Sequence, residues 1–190
     1  MKKILFILIS IIAIVLILLF IFGRNDEREI KLGQGYHYIP FKEITFDATG
    51  FGGNGIYVYK DSCIVPIIFP HIISYKYDST YILVKQKFNF LQTKHLLEYM
   101  LFLPNTYFKY DKDLVFLEES YLDSVSNKND TIQMEEFITN IMNHDKYIMK
   151  MVANNENYYI INKNNNRIIG PLNYELFKKL KLEMSIQIDL

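Results

Sequence analysis

The chain has 190 residues, half of them apolar, and it carries 21 basic and 21 acidic side chains. This composition predicts one folded domain with a real hydrophobic core and excludes a disordered polypeptide. Leaving out Lys2, Lys3 and Arg24 of the first 24 residues, 18 basic and 21 acidic side chains remain, a net charge of −3. That balance argues against a nucleic-acid partner, because phosphate binding needs a basic face.

The N-terminal segment is the most distinctive feature of the sequence. Residues 4–22 are 19 consecutive residues without a charge, and a helix of that length is roughly 28 Å long, close to the thickness of a hydrocarbon core. We therefore predict a transmembrane anchor over residues 1–23, a polar linker over residues 24–29 and a folded domain over residues 30–190.

Two other interpretations of this segment were weighed. A cleaved secretory signal is disfavoured because the apolar run is long and Phe20 is not a small residue three positions before a cut at Gly23. A buried core helix is disfavoured further. The chain also has no cysteine at the end of the run, which a lipoprotein signal would need.

The charges that flank the segment set its predicted orientation only weakly, with Lys2 and Lys3 before it and Arg24, Arg28 and Lys31 after it. Long domains that follow such a segment are usually translocated. We therefore predict a single-pass protein of the cell membrane whose C-terminal domain lies outside the cytoplasm, and the membrane itself is the first predicted partner, through residues 4–22. A cleaved, secreted form is the less favoured alternative.

The first part of the domain is predicted to form β-strands. The 15 Tyr and 14 Phe favour β structure, and period-2 alternation supports it. The predicted strands are Ile30–Ile39, interrupted by two glycines, then Glu43–Ala48, Ile56–Lys60 and Cys63–Phe69. Pro66 makes the last of these an edge strand or an irregular crossing. Cys63, the only cysteine, reads as a small buried residue rather than a reactive thiol, because no neighbouring base is visible.

The next segment predicts a β-hairpin. Ile72–Tyr77 and Tyr81–Lys87 flank Asp78-Ser79-Thr80, whose side chains suit a turn. The run Tyr81–Val84 is apolar on both faces, which predicts a central strand.

Two helices are predicted after the hairpin. Phe90–Leu103 has apolar residues at helical spacing and ends before Pro104. A second helix starts at Asp130 or Thr131 and runs to about Asn143. Its apolar stripe predicts core packing rather than a cofactor site; the stripe consists of Met134, Phe137, Ile138, Ile141 and Met142.

The C-terminal part predicts a second hairpin and a final helix. Asn157–Lys163 and Arg167–Ile169 are strands joined by three consecutive asparagines, which tolerate positive φ in tight turns. Gly170-Pro171 closes this hairpin. Asn173 then caps the last helix, with Leu172 and Phe177 placed as a hydrophobic staple.

No motif in the sequence predicts a catalytic or binding site. Gly50–Gly55 matches a dinucleotide-binding pattern, but these glycines lead into a strand instead of a helix, so a turn is predicted. The pairs Glu118-Glu119 and Glu135-Glu136 read as solvated charges, because neighbours in sequence do not face each other on a helix. The four histidines are widely spaced and predict no metal site; they are His37, His71, His95 and His144. We therefore predict no catalytic, cofactor-binding or metal-binding residue, no cofactor and no enzyme activity.

Several short stretches resemble a family of small bacterial secreted and lipoprotein domains for which no activity is known. The resemblance rests on Leu32–Tyr36, on Tyr81–Gln86 and above all on Tyr158–Lys163 followed by Ile169–Leu172. It implies an extracytoplasmic, β-rich domain with a C-terminal helix and gives no catalytic residues. The chain differs from the family in lacking the lipid-bearing cysteine and in the long helical stretch between about Phe88 and Asn155.

The predicted fold is α+β: a mostly antiparallel β-sheet with two helices inserted late and one helix at the C-terminus, preceded by one transmembrane helix. The leading function is a non-catalytic module that binds another protein or an envelope component. An aromatic strand surface is one candidate for this role, although half-buried sheet positions are the simpler interpretation for each ring; its members are Tyr57, Tyr59, Tyr75 and Tyr77. The alternatives are an immunity or inhibitor protein against a toxin, and an enzyme of unrecognised class.

Overall fold

A computed structural model describes residues 29–40, 54–60, 63–102 and 131–190. The predicted transmembrane anchor, the predicted strand Glu43–Ala48, most of the glycine pattern and Glu118-Glu119 lie outside these residues. Within the described ranges, no helix has both the length and the apolar character needed to cross a bilayer.

The described residues form eight strands and four helices, which confirms the α+β class and the C-terminal position of the last helix. In chain order they are β1 (Ile30–Gly33), β2 (Tyr36–Ile39), β3 (Gly55–Lys60), β4 (Cys63–Ile68), β5 (Ile72–Tyr77), β6 (Tyr81–Gln86), α1 (Phe90–Phe102), α2 (Thr131–His144), α3 (Lys146–Ala153), β7 (Asn157–Asn162), β8 (Arg167–Leu172) and α4 (Tyr174–Glu183).

The strands divide into two four-stranded sheets instead of one. Their orders are β1-β2-β3-β4 and β5-β6-β7-β8, and every neighbouring pair is antiparallel, as predicted. The chain leaves the first sheet at Pro70, which has no N–H to continue a ladder, and at His71, whose φ is +74°. This bend ends pairing with β3 and starts the second sheet. Among the described strands, β4 lies at an edge of the first sheet and β6 lies inside the second sheet, as predicted.

The predicted strand Ile30–Ile39 is in fact a hairpin. Gly33, Gln34 and Gly35 all have positive φ, which reverses the chain and pairs Ile30 with Tyr38. Glycine makes such a reversal possible at no steric cost. The two glycines that interrupt the alternation were therefore the signal of a turn.

The described residues between β6 and β7 form three helices, one more than predicted. The bounds of α1 and α2 agree with the predicted helices to within a residue or two, and the stripe of α2 is confirmed as core at its described positions. Those positions are Phe137, Ile138, Ile141 and Met142. The additional helix, α3, begins at Asp145, whose side chain accepts hydrogen bonds from the N–H groups of Tyr147 and Ile148.

The C-terminal hairpin is confirmed, but Gly170-Pro171 does not close it, because β8 continues through both residues to Leu172. A glycine at position 170 allows this continuation, since its φ is +148° and its backbone lies directly against the ring of Tyr159. Asn173 caps α4 by accepting from the N–H of Leu176 at 2.9 Å. Leu172 and Phe177 belong to one buried cluster, as the predicted staple requires.

The second sheet is the middle layer of the domain. Alternate residues of its central strands face opposite sides, so Ile82 and Ile161 join a core with the first sheet and helices α1–α3. Leu83 and Ile160 face the other way and pack against α4. Each side chain of this size contributes about 1.5–3 kcal/mol when fully buried, so the two-sided burial of β6 and β7 fixes their register.

A buried polar network links these layers. Gln86, which is fully buried, donates to the carbonyl oxygens of Phe69 at 3.0 Å and Pro70 at 3.2 Å, and accepts from the hydroxyl of Tyr159 at 3.1 Å. Burial raises the pKa of both Tyr159 and Tyr147, and these two hydroxyls interact with each other. The Gln86 carboxamide therefore links the end of the first sheet to the second sheet, and the two neutral hydroxyls extend this link to α3.

The close approach at Gly170 yields a stability prediction. In Gly170→Ala, the added Cβ would lie 2.4 Å from the Tyr159 ring and 2.8 Å from the Tyr158 carbonyl oxygen, in a backbone conformation that L-residues rarely adopt. We expect the free energy of unfolding to fall by about 2–4 kcal/mol. Urea unfolding of the full-length chain in mild detergent measures this loss. An unchanged unfolding midpoint would show that Gly170 is not as tightly packed as described.

Candidate functional site

Three turns meet at one end of the domain and form what we call the three-turn surface. They are the β1–β2 turn at residues 33–35, the β5–β6 turn at residues 78–80 and the β7–β8 turn at residues 163–166. The first turn belongs to the first sheet and the other two to the second sheet. The surface is therefore built where the two sheets join.

Lys163 lies at the centre of this junction. Its side chain is 4% exposed, and its ammonium Nζ donates to the carbonyl oxygens of Leu32 at 2.8 Å and Asp78 at 2.5 Å. The same atom lies 5.7 Å from the centroid of the Tyr77 ring, within the range of a cation–π interaction. Burial lowers the pKa of Lys163 from its ordinary value, because the charged form loses hydration, while the nearby Asp78 acts in the opposite direction.

Side-chain hydrogen bonds hold the turns to one another around Lys163. The Tyr36 hydroxyl donates to Asn166 Oδ1 at 3.1 Å, and Gln34 Nε2 donates to Asn164 Oδ1 at 3.0 Å. Each bond crosses from the first sheet to the second. The backbone N–H of Lys163 donates to the carbonyl oxygen of Thr80 at 2.8 Å, and this bond links the β7–β8 turn to the β5–β6 turn within the second sheet.

The β5–β6 turn is also closed internally. Asp78 Oδ1 accepts from the N–H groups of Thr80 at 2.6 Å and Tyr81 at 2.7 Å, which is the local bonding predicted for an aspartate at this position. This turn therefore has a defined shape before any ligand arrives.

The outer face of the junction is polar and exposed. It presents amide, hydroxyl and guanidinium groups beside one aromatic ring, Tyr77, which is 44% exposed. The other exposed residues of this face are Gln34, Gly35, Ser79, Asn164, Asn165, Asn166 and Arg167. These groups can donate and accept hydrogen bonds and stack against an apolar group, but they do not supply an acid–base pair.

The opposite side of the joint between the sheets is fixed by Asn54. Its carboxamide accepts from the N–H of Ile72 at 2.8 Å and donates to the carbonyl oxygen of Ile72 at 2.7 Å. Between the two ends, the rings of Tyr38 and Tyr75 lie 4.4 Å apart and connect β2 with β5. The junction under the three-turn surface is therefore anchored along its whole length.

The predicted tyrosine surface is only partly brought together. Tyr57 is buried in the core, so a surface role for it is wrong; β3 is an interior strand, and burial raises the pKa of this hydroxyl. Tyr59 is exposed on the first sheet, in edge contact with His37. Tyr75 and Tyr77 stack on the second sheet with centroids 6.4 Å apart, and Tyr77 alone reaches the three-turn surface.

The four histidines lie on different parts of the fold. His37 pairs with Glu29, and His95 Nδ1 lies 3.1 Å from Glu98. His71 and His144 each contact a backbone carbonyl oxygen. Among the residues that the structure describes, no three histidine, cysteine or carboxylate side chains are grouped as metal ligands. The side chain of Cys63 lies outside the described part of the chain.

A shallow groove of about 560 Å³ runs along α2 and is lined by Glu135, Glu136, Thr139, Asn140, Asn143 and His144. It brings carboxylates and a histidine to one surface, but His144 lies eight or nine residues from the glutamates, roughly 13 Å along the helix axis. That separation is too long for direct proton transfer. Glu135 forms an ion pair with Lys94 at 2.9 Å, which lowers the pKa of the glutamate. We therefore interpret this groove as a solvated helix face.

Comparison of the chain with models of known protein families, with curated proteins and with solved structures gives no match. The resemblance to the family of small bacterial secreted domains stays a prediction. Among the described residues, the three-turn surface is thus the best-defined candidate site. The sequence did not indicate it, because Lys163 lies at the end of an apolar strand, where a lysine is expected to be exposed.

The lowered pKa of Lys163 predicts a pH dependence. Below about pH 10.5 the unfolded lysine is protonated more fully than the folded one, so this residue's contribution to stability rises with pH up to that point. We expect the difference in unfolding free energy between wild type and Lys163→Met to grow in favour of wild type from about pH 8 to about pH 10.

Urea unfolding of the full-length chain in detergent measures this difference, with Lys150→Met at an exposed lysine of α3 as the matched control. Effects of the core tyrosines, whose pKa values are raised, cancel because both proteins contain them. A difference that does not vary with pH would contradict the proposed burial of the ammonium group.

Proposed function

We propose that this chain is a single-pass membrane protein whose extracytoplasmic domain binds another protein through the three-turn surface. The observation that carries the proposal is an exposed set of asparagine, serine and tyrosine side chains on turns that are fixed from behind by Lys163. Loops that a rigid scaffold holds in place are a common location for binding residues.

The composition of this surface favours a protein partner. Tyrosine, serine, glycine and asparagine are the residues that dominate the recognition loops of binding proteins, since they combine contact area with adaptable hydrogen bonding. The three-turn surface presents all four types. Its turns are already cross-linked by hydrogen bonds, so binding would cost less conformational entropy than it would for free loops.

The predicted topology supports the same role. Residues 4–22 would anchor the chain, and the linker of residues 24–29 would enter the domain at Ile30. The β1 strand then runs from Ile30 toward the turn at residues 33–35. The three-turn surface would therefore point away from the bilayer, toward partners outside the cytoplasm.

Two alternatives accompany this proposal. One is an immunity or inhibitor protein whose partner is a toxin, and rescue of cells from that toxin would identify it. The other is an enzyme of unrecognised class; the groove along α2 does not support it, because the histidine and the glutamates there are too far apart for acid–base chemistry.

Site-specific photocrosslinking tests the proposal. A photoreactive amino acid replaces Ser79 or Arg167 on the three-turn surface, and Lys150 or Lys179 on exposed helix faces as controls. We expect crosslinking in intact cells to give a discrete adduct of higher mass at Ser79 and Arg167 and none at the two control positions. Mass spectrometry then identifies the partner.

Full-length protein at wild-type levels in the membrane fraction is the control for folding and insertion. Adducts at all four positions, or at none, would contradict binding through the three-turn surface.

A further inference from the structure

The end of the domain opposite the three-turn surface is defined by strand register, and we call it the basal end. In the first sheet, Ile30 pairs with Tyr38 and Ile39 pairs with Gly55 at this end. In the second sheet, Gln86 pairs with both Ile72 and Asn157. The hydrogen bonds between Asn54 and Ile72 bring these two sets together, so both sheets share one basal end.

Large apolar side chains are exposed at the basal end. They are Ile30 (40% exposed), Ile73 (50%), Phe90 (51%), Leu91 (59%) and Val152 (54%). A single exposed apolar residue needs no explanation. Here five exposed apolar residues on four different elements lie at the end where the chain enters the domain, and such a concentration is typical of an interaction surface.

Hydrogen bonds and strand pairing place each of these elements at the basal end. Ile73 follows Ile72 directly on β5. The start of α1, with Phe90 and Leu91, comes three residues after Lys87, whose N–H donates to the carbonyl oxygen of His71 at 3.1 Å. Val152 follows Met151, whose carbonyl oxygen accepts from Asn157 at 3.0 Å.

The linker limits how far this end can lie from a bilayer. Phe22, the last residue of the apolar segment, and Ile30 are eight residues apart, so the chain between them spans at most about 29 Å when fully extended. Ile30 therefore stays within that distance of the end of the apolar segment, and the basal end is the part of the domain nearest to the predicted anchor.

We infer that the basal end rests on the lipid surface, with Ile73, Phe90 and Leu91 at the boundary between headgroups and acyl chains. This inference rests on the anchor in the proposed function and adds a second, peripheral contact to it. Apolar side chains at such a boundary are stabilised by burial of their surface. Lys87, which is exposed at the same end, reaches the headgroup layer.

This contact would set the orientation of the domain. An anchor at one point alone does not determine which face of a domain lies against the bilayer, whereas a second contact does. Ile73 and Tyr77 are four residues apart on β5, about 13 Å along the strand. They offer a matched pair of reporters at opposite ends of one element, with exposed fractions of 50% and 44%.

The absence of tryptophan from the chain makes the test direct. The full-length variants Ile73→Trp, Phe90→Trp and Tyr77→Trp are each reconstituted into nanodiscs of phosphatidylcholine and phosphatidylglycerol, with and without brominated acyl chains. We expect bromine to reduce the emission at positions 73 and 90 at least about twofold, because tryptophan partitions into the bilayer interface. The emission of Tyr77→Trp is expected to stay unchanged.

The outcomes separate this inference from the proposed function. Quenching at positions 73 and 90 but not at 77 supports it. No quenching in protein that stays in the nanodisc, or equal quenching at all three positions, overturns it and leaves the anchor and the partner-binding surface intact. Protein that fails to enter nanodiscs overturns the anchor and this inference together.

Discussion

The buried ammonium group of Lys163 is the constraint on which the architecture of the three-turn surface depends. A buried cation needs polar partners to replace water, and Lys163 has two carbonyl oxygens and an aromatic face. One carbonyl belongs to β1 of the first sheet, and the other belongs to the β5–β6 turn of the second. Satisfying this one group therefore requires both sheets to be present and correctly placed.

Two kinds of contact form the remainder of the junction between the sheets. Apolar packing brings the sheets together, and polar contacts fix their relative position. The second sheet buries both of its faces, one against α4 and the other against the first sheet and helices α1–α3. Asn54 fixes the basal end of the joint, and the bonds of Gln34 and Tyr36 fix the other. An exposed polar surface thus stands on a fully packed support, which is the arrangement that pre-organised recognition requires.

Much of the local structure was predictable because its signals are local. Alternation along β6, the turn at Asp78 and the cap at Asn173 each depend on residues within a few positions of one another. The division into two sheets depends on the backbone at Pro70 and His71, and on pairings far apart in sequence, which alternation does not report. The path of β8 through Gly170 depends on the position of the Tyr159 ring, which is a tertiary contact that local sequence does not report.

The site itself was harder to predict for the same reason. Lys163 is separated from Leu32 by 131 positions, and no local pattern marks a lysine that will be buried by turns from elsewhere. The start of α3 was easier to predict, since Asp145 followed by Ile148 and Met151 is the pattern of a helix cap before an apolar face. The helix has only eight residues, however, which is short for a periodic signal.

Amide hydrogen exchange of the full-length chain in detergent tests the central role of Lys163 most directly. Comparison of Lys163→Met with Lys150→Met follows the three turns separately from the core strands. In Lys163→Met we expect faster exchange at all three turns, residues 33–35, 78–80 and 163–166. In Lys150→Met we expect the same turns to exchange at wild-type rates. Faster exchange confined to residues 163–166 would contradict this role of Lys163, because the three turns would then be independent of one another.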